Sequence, residues 1–446
     1  MRLISFLIPA LCATAVSQGA RISFEGGSLP VLEYDAEKAS GLEKIFVAYN
    51  SSEITEMRIE SDDSGMSLKR FSNLGGGFAE PVAFRWDGSV AVLDNPSGNM
   101  GYIVEENGRN YCIWLVDYHE YLLKVTSITA AREQDCFSTT LDLSGKGDAI
   151  HYFTIDGRQA ELSRQLQLSY SNLSWNDEAE QYSQEACVKE LAHLTSTVVI
   201  TPPLYCNSDF LLTGDRFLKA WGRELKYTSD VIFANGLDVH TVATQTNSRD
   251  ENSEEPSTLI KGDANALGGS APADFEFRAF TSDAVVHNEW QIADDPEFEY
   301  ITFRFNEQTV DYSFVEEGTY YVRFVGSNSD GSCEAFGETY TISIGASDLR
   351  IPNAFTPNGD GVNDVWKVGY RSLLSFRCTI FDRYGNEIFR FSDPEQGWDG
   401  KYKGKLVNPG VYFYVIEAKG ADGKTYKKGG DINIIRSKKY STGNAE

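Results

Sequence analysis

Short runs in which apolar and polar residues alternate, each closed by Gly, Asn or Asp, recur along the chain. The 3.6-residue spacing of an amphipathic helix is nearly absent. Alternation sends successive side chains to opposite faces of an extended strand, one face toward a core and the other toward water. Residues 111–116, 149–155, 275–280, 320–325, 339–344 and 411–417 carry this signature. The run ending at residue 155 meets Asp156-Gly157, a pair that tolerates the positive φ of a tight hairpin. The pattern predicts an all-β protein of several small modules.

Punctuation along the chain divides it further. Residues 247–274 are rich in Asn, Ser, Glu, Pro and Gly and poor in large apolar side chains, so they read as an acidic linker and the expected first site of proteolysis. A weak repeat pairs Cys136-Phe-Ser-Thr-Thr-Leu141-Asp-Leu143-Ser-Gly145 with Cys206-Asn-Ser-Asp-Phe-Leu211-Leu-Thr-Gly214, predicting two copies of one sandwich. Beyond the linker, Phe275, Phe277 and Ala279 alternate, and Trp290 follows on a predicted strand. Gly318 and Tyr320 then suit a corner at which a tyrosine hydroxyl returns to the backbone. This stretch resembles PKD and related Ig-like modules of adhesins. The predicted organisation is a signal peptide (1–19), an N-terminal β domain (20–130), Ig-like modules at 131–200 and 201–272, a PKD/Ig-like domain (273–346) and a C-terminal β-sandwich (349–440).

Composition narrows the classes of function. The 446 residues carry a formal charge of −25, which argues against a partner whose phosphates must be neutralised; no nucleic acid is expected. The charge is uneven: residues 349–446 hold 16 Lys and Arg against 11 Asp and Glu, a net of +5, leaving −30 on the first 348. Arg2, the apolar run 3–11 and small residues up to Ala20 form the three regions of a secretory signal, cleaved after Ser17 or Gly19. Cys12 offers a rival lipoprotein reading, disfavoured by the bulky Leu11 before it. No later run is long enough to span a bilayer, so no transmembrane segment is expected in the mature chain. An exported chain can form disulfides, and Cys187–Cys206 is the bridge expected, with Cys333 and Cys378 unpaired with one another.

The densest motifs lie at the end of the chain. Ile351-Pro-Asn-Ala-Phe355-Thr-Pro357-Asn358-Gly359-Asp360-Gly361-Val-Asn363-Asp364 is followed by Phe381-Asp-Arg383-Tyr384-Gly385 and by Gly397-Trp398-Asp399-Gly400. Asn408-Pro-Gly410-Val-Tyr412 and Lys428-Gly-Gly-Asp431-Ile-Asn-Ile complete the series. Five motifs in this order resemble the gliding-motility-associated C-terminal domain of Bacteroidota, the type B sorting domain of the type IX secretion system. The resemblance implies a β-sandwich sorting module that uses the type IX translocon and a porin-like outer-membrane partner. It implies a surface or secreted location and no catalytic role for these residues. Their chemistry is architectural, because Gly and Asn supply positive φ in turns and Trp398 is large enough to close a small sandwich. Lys401, Lys403 and Lys405 would line one face of a strand, either as a docking patch or as protection of an edge, with Lys424, Lys427, Lys428, Lys438 and Lys439 adding to the positive end. The oxygen-rich loop 358–364 resembles part of a calcium loop but lacks the downstream bidentate Glu; apart from calcium, no metal or cofactor is expected.

Catalytic signatures are missing from the sequence. His119, His151, His193, His240 and His287 are far apart and form no H-E-x-x-H pair, and no nucleophile elbow or phosphate loop occurs; Gly75-Gly-Gly77 reads as a turn. Trp86, Trp114, Trp175 and Trp221 could stack on sugars or fill separate cores. The expectation is a non-enzymatic, adhesin-like surface protein with an unknown surface or host ligand. The alternatives are a glycan- or ligand-binding protein and, less favoured, a secreted hydrolase.

Overall fold

A computed structural model describes residues 21–246 and 267–436. The predicted signal peptide and most of the predicted linker lie outside the described residues. The chain divides into two compact units, one of Met1–Leu173 with Gln184–Ala234, the other of Ser174–Ser183 with Asn235–Glu446. Both are built of strands.

In the first unit, Arg21–Gly26, Ile54–Glu60, Val90–Asp94 and Arg85–Asp87 make a four-stranded sheet. A six-stranded sheet runs Leu32–Asp35, Lys44–Ala48, Arg109–Asp117, Met100–Glu106, Ser67–Phe71 and Glu80–Pro81. Met57, Ile59 and Ala91 meet Phe46, Tyr102 and Leu115 in the core between them. The Arg109–Asp117 strand explains its own sequence. Ile113 and Leu115 enter that core, whereas Cys112, Trp114 and Val116 enter a second one with Tyr152, Leu162, Phe217 and Trp221. A strand buried on both faces must be a continuous apolar run.

The predicted module at 131–200 and the part of 201–272 up to Ala234 share one core rather than forming two domains. Lys124–Ala130, Thr139–Lys146 and Thr197–Ile200 form one sheet, and Gln181–Leu191, Leu166–Asn176, Leu211–Gly214 and Leu225–Thr228 form another. Leu168 pairs with Leu212 across the predicted boundary, and Leu141, Leu143, Leu168 and Leu212 share one core. The weak repeat is therefore two segments of one domain, alike because each buries alternate apolar residues, Leu141 and Leu143 in one and Phe210 and Leu212 in the other. The predicted Cys187–Cys206 bridge is not formed, and both residues are thiols. Cys206 is buried with its Sγ 3.8 Å from the Ser171 carbonyl oxygen, whereas Cys187 is half-buried beside Tyr170. Cys136 and Cys333 are disulfide-bonded. Cys378 is a buried thiol, so the expectation that it does not join Cys333 holds.

The second unit begins its Ig-like sandwich earlier than predicted. Val239–Gln245, assigned by sequence to the preceding module, pairs along its whole length with Ala273–Thr281, which in turn pairs with Thr309–Phe314. The facing sheet runs Leu267–Gly269, Tyr340–Ile344, Gly318–Ser327, His287–Ala293 and Ile301–Phe305, with Glu334–Phe336 on Gly318–Ser327. Leu267–Gly269 and Ala273 thus belong to strands rather than to the linker that sequence extended to 274. Phe275, Phe277, Trp290, Ile292 and Phe324 fill the core. The tyrosine corner is present, since the Tyr320 hydroxyl donates to the Glu316 carbonyl at 3.1 Å.

Candidate functional site

The last domain hangs on a five-stranded sheet in the order Ala354–Phe355, Thr425–Ile434, Gly410–Gly420, Leu373–Phe381, Glu387–Phe391. Its inner face buries Cys378, Ile380, Ile416 and Ile432 against Trp366 and Trp398, which are fully buried. The tryptophans are tied by reciprocal backbone hydrogen bonds of 2.8 Å, and their ring N–H groups donate to the Pro352 and Lys401 carbonyls at 2.7 and 3.0 Å. A buried indole keeps a partner for its one donor. Without such a partner, burying Trp398 would leave a polar group unsatisfied.

Each predicted motif residue has an architectural place. Phe355 and Tyr412 lie 5.5 and 5.4 Å from the Trp398 ring. The Tyr412 hydroxyl donates to the Asn408 carbonyl at 2.9 Å, a second tyrosine corner, just after Gly410 at φ 146°. Gly400, at φ 75°, packs so closely on Pro357 and Phe355 that a Cβ would stand 3.1 Å from the proline ring. Asp399 accepts from the Lys401 ammonium at 2.7 Å. In the turn after Phe381, Asp382 accepts the amides of Tyr384 and Asn386 at 2.8 and 2.9 Å, Gly385 takes φ 82°, and the Arg383 guanidinium lies over the exposed Tyr384 ring.

The loop 358–364 is organised around an anion that the chain itself supplies. Asp364 accepts from the backbone amides of Asn358, Gly359 and Gly361 at 2.9, 2.7 and 2.7 Å. Asp360 accepts from the Val362 amide at 2.8 Å and from the Asn358 side chain at 2.7 Å, and Asn363 sits at φ 52°. Hydrogen bonds from Gly359, then Gly361, hold the Asp364 carboxyl below the usual carboxylate range. Carboxylate oxygens already facing N–H donors are poor ligands for calcium, and no group of three or more His, Cys, Asp or Glu side chains placed to hold a metal occurs among the described residues.

The predicted lysine row is corrected. Lys401–Tyr402 and Lys405–Leu406 are the arms of a two-residue hairpin whose turn is Lys403-Gly404, at φ 49° and 78°. A turn between the arms ends the alternation, so the three lysines do not share one face. Lys438 and Lys439 lie outside the described residues.

Motif reading passes over the outer face of the sheet. On Gly410–Gly420, Tyr412, Tyr414 and Ile416 pack against or into the core, while Val411, Phe413 and Val415 point outward at 44–49% exposure. Register places Phe413 between Phe381 and Asp431, Val415 between Thr379 and Gly429, and Glu417 between Arg377 and Lys427. An apolar row therefore lies beside a charged one. The available signal is the unbroken apolar run 411–416, which serves two faces although only one is buried.

Comparison with known families decides what this domain is. Residues 349–434 match the family described as CHU_C Type IX secretion signal domain. The chain carries a type IX secretion signal. Such a signal implies export to the cell surface or the extracellular space. No helix among the described residues is long and apolar enough to cross a membrane. Residues 127–229 match the fibronectin type III domain, in agreement with the single body found there. No curated protein matches the chain. Among solved structures, the three N-terminal domains of the bacteriophage RB49 highly immunogenic outer capsid protein align with 71% of this chain and 100% of that one, at 12% identity and a TM-score of 0.23. Dimeric latent PorU from Porphyromonas gingivalis aligns with 71% of this chain and 34% of its own, at 9% identity and a TM-score of 0.16.

Upstream of the secretion signal, the four predicted tryptophans do not form a platform. Trp114 and Trp221 are buried in one core, Trp86 is exposed beside Phe84, and Trp175 stacks on His240 at 4.4 Å in the second unit.

Proposed function

We propose that the chain is an adhesin-like surface or secreted protein. Its non-catalytic modules are carried across the outer membrane by the type IX machinery, which engages the secretion signal domain through the outer sheet face around Phe413. The observation that carries this reading is the match over residues 349–434, joined to an outward row of Val411, Phe413 and Val415 that the domain's own core leaves uncovered. Apolar side chains in the middle of an exposed sheet face are a cost to solubility that an interaction surface offsets. The flanking Arg377 and Lys427 suit an acidic rim on the partner, for which a porin-like outer-membrane protein is the proposed candidate. Both matched domains are non-catalytic families, which supports a binding or structural passenger. Deleting residues 349–446 should leave a folded passenger in the periplasm, and fusing them to a neutral reporter should carry it out when the machinery is present. Export of the truncated chain at the full-length level would overturn the reading.

A further inference from the structure

The Ig-like sandwich and the secretion signal domain are joined by Gly345, Ala346 and Ser347, the residues left between strands Tyr340–Ile344 and Asp348–Arg350. Ile344 lies in the sandwich core, and Leu349 packs on the core of the signal domain. The link therefore runs directly from one core to the other, and no residue from 342 to 349 is exposed.

Three successive carbonyls of the link are taken, each by a different side chain of the signal domain. Gly345 accepts from the Ser372 hydroxyl at 2.6 Å, Ala346 from the Arg371 Nε at 2.9 Å and Ser347 from the Tyr426 hydroxyl at 2.9 Å. On the sandwich side, the Gly345 amide donates to the Gly269 carbonyl at 2.9 Å. The Ser347 hydroxyl donates to the Asp422 carboxylate at 2.6 Å, and Asp348–Arg350 pairs with Gly369–Arg371. A linker between independently moving domains is exposed and crossed by few contacts. This one is half-buried or buried and bonded on both sides.

A terminal signal leaves its cargo only where a protease can reach the chain that joins them. Proteases cut preferentially at exposed loop tips, and susceptibility follows the burial and hydrogen bonding of the backbone. A segment whose carbonyls are already spent is cut only from an opened state, at a rate set by how often it opens. We infer that the secretion signal domain is not cut from the exported protein at this junction and remains part of it. Arg371, Ser372 and Tyr426 are the clamps that keep the link closed. The apolar row of Val411, Phe413 and Val415 then stays on the protein after export. The inference draws on the secretion signal and its link, not on which face of the domain the machinery holds.

The test begins with protein exported by cells that have the type IX machinery, reduced, denatured and digested with trypsin. The peptide of residues 324–350, which spans the link, and the peptide of residues 378–383 from the signal domain should appear in equal molar amounts. Next, the folded full chain is treated with a broad-specificity protease. The wild type should stay uncut within 344–349, whereas Arg371→Ala combined with Tyr426→Phe should be cut there at least tenfold faster. Protection of the buried Cys378 thiol from alkylation shows that the variant's signal domain is still folded. Should the variant lose that protection, the two wild-type measurements decide alone. Exported protein whose chain ends within 344–349, exported protein depleted of the 378–383 peptide, or a folded wild type cut at the link as fast as the folded variant would overturn the inference.

Discussion

At the scale of single residues, the first unit turns on Arg164, a guanidinium wholly withdrawn from water. It meets the fully buried Asp215 at 2.7 Å and donates from Nε to the Asp148 carbonyl at 2.8 Å and from its other arm to the Tyr121 carbonyl. Asp215 also accepts from the Tyr118 hydroxyl at 3.0 Å and caps the short helix Arg216–Ala220 through the Leu218 amide at 2.9 Å. Burial, then the charge of Asp215, raises the Tyr118 hydroxyl well above its ordinary pKa. It therefore stays protonated, and its contribution is present at neutral pH and lost only in strong alkali. Removing one member of a buried pair strands the other's charge, at about 3–5 kcal/mol. Arg164→Met should cost that much in urea unfolding. Adding Asp215→Leu should restore part of it, leaving the lost helix cap at about 1 kcal/mol.

Among the elements of the secretion signal domain, the loop 358–364 and the Gly410–Gly420 strand make separate predictions. A carboxyl depressed in the folded state contributes order that is present above its unfolded pKa, about 3.9, and lost as pH falls through the folded value. The amide resonances of Gly359 and Gly361 should therefore move together below about pH 4 and stay fixed in Asp364→Ala. Since backbone amides already satisfy the carboxylate, neither calcium nor a chelator should shift the melting temperature. For the strand, Phe413→Asp changes an outward side chain and should alter stability by less than about 1 kcal/mol. Secretion should fall severalfold in the same variant, measured as the ratio of external to periplasmic protein. Normal secretion would move the docking surface elsewhere on the domain.

On the scale of the whole molecule, the secretion signal domain does not merely follow the Ig-like sandwich; the two are joined at Ser372. Its amide donates to the Ser270 Oγ at 2.6 Å, its Oγ accepts from the Ala271 amide at 3.1 Å, and its Oγ donates to the Gly345 carbonyl at 2.6 Å. At about 0.5–1.5 kcal/mol net for each bond, a fragment of residues 349–446 should melt on the order of 10 °C below one of residues 235–446. Equal melting temperatures would show that the junction contributes nothing. The sequence by itself determined the all-β class, the tyrosine corner at Tyr320, the turns at Gly385, Gly400 and Gly410, and the secretion signal. Each follows from local chemistry: a two-residue period, positive φ, or a motif a few residues long. Other features were decided only by long-range pairing. Leu168 against Leu212 merged two predicted modules, Val239–Gln245 joined the sandwich across the linker, and the described cysteines separated into Cys136 and Cys333 in disulfides and Cys112, Cys187, Cys206 and Cys378 as thiols. The outer row at Phe413 is of this second kind. A period of two tells which residues share a face, but only the neighbouring strands and their register decide whether that face is buried, covered or open.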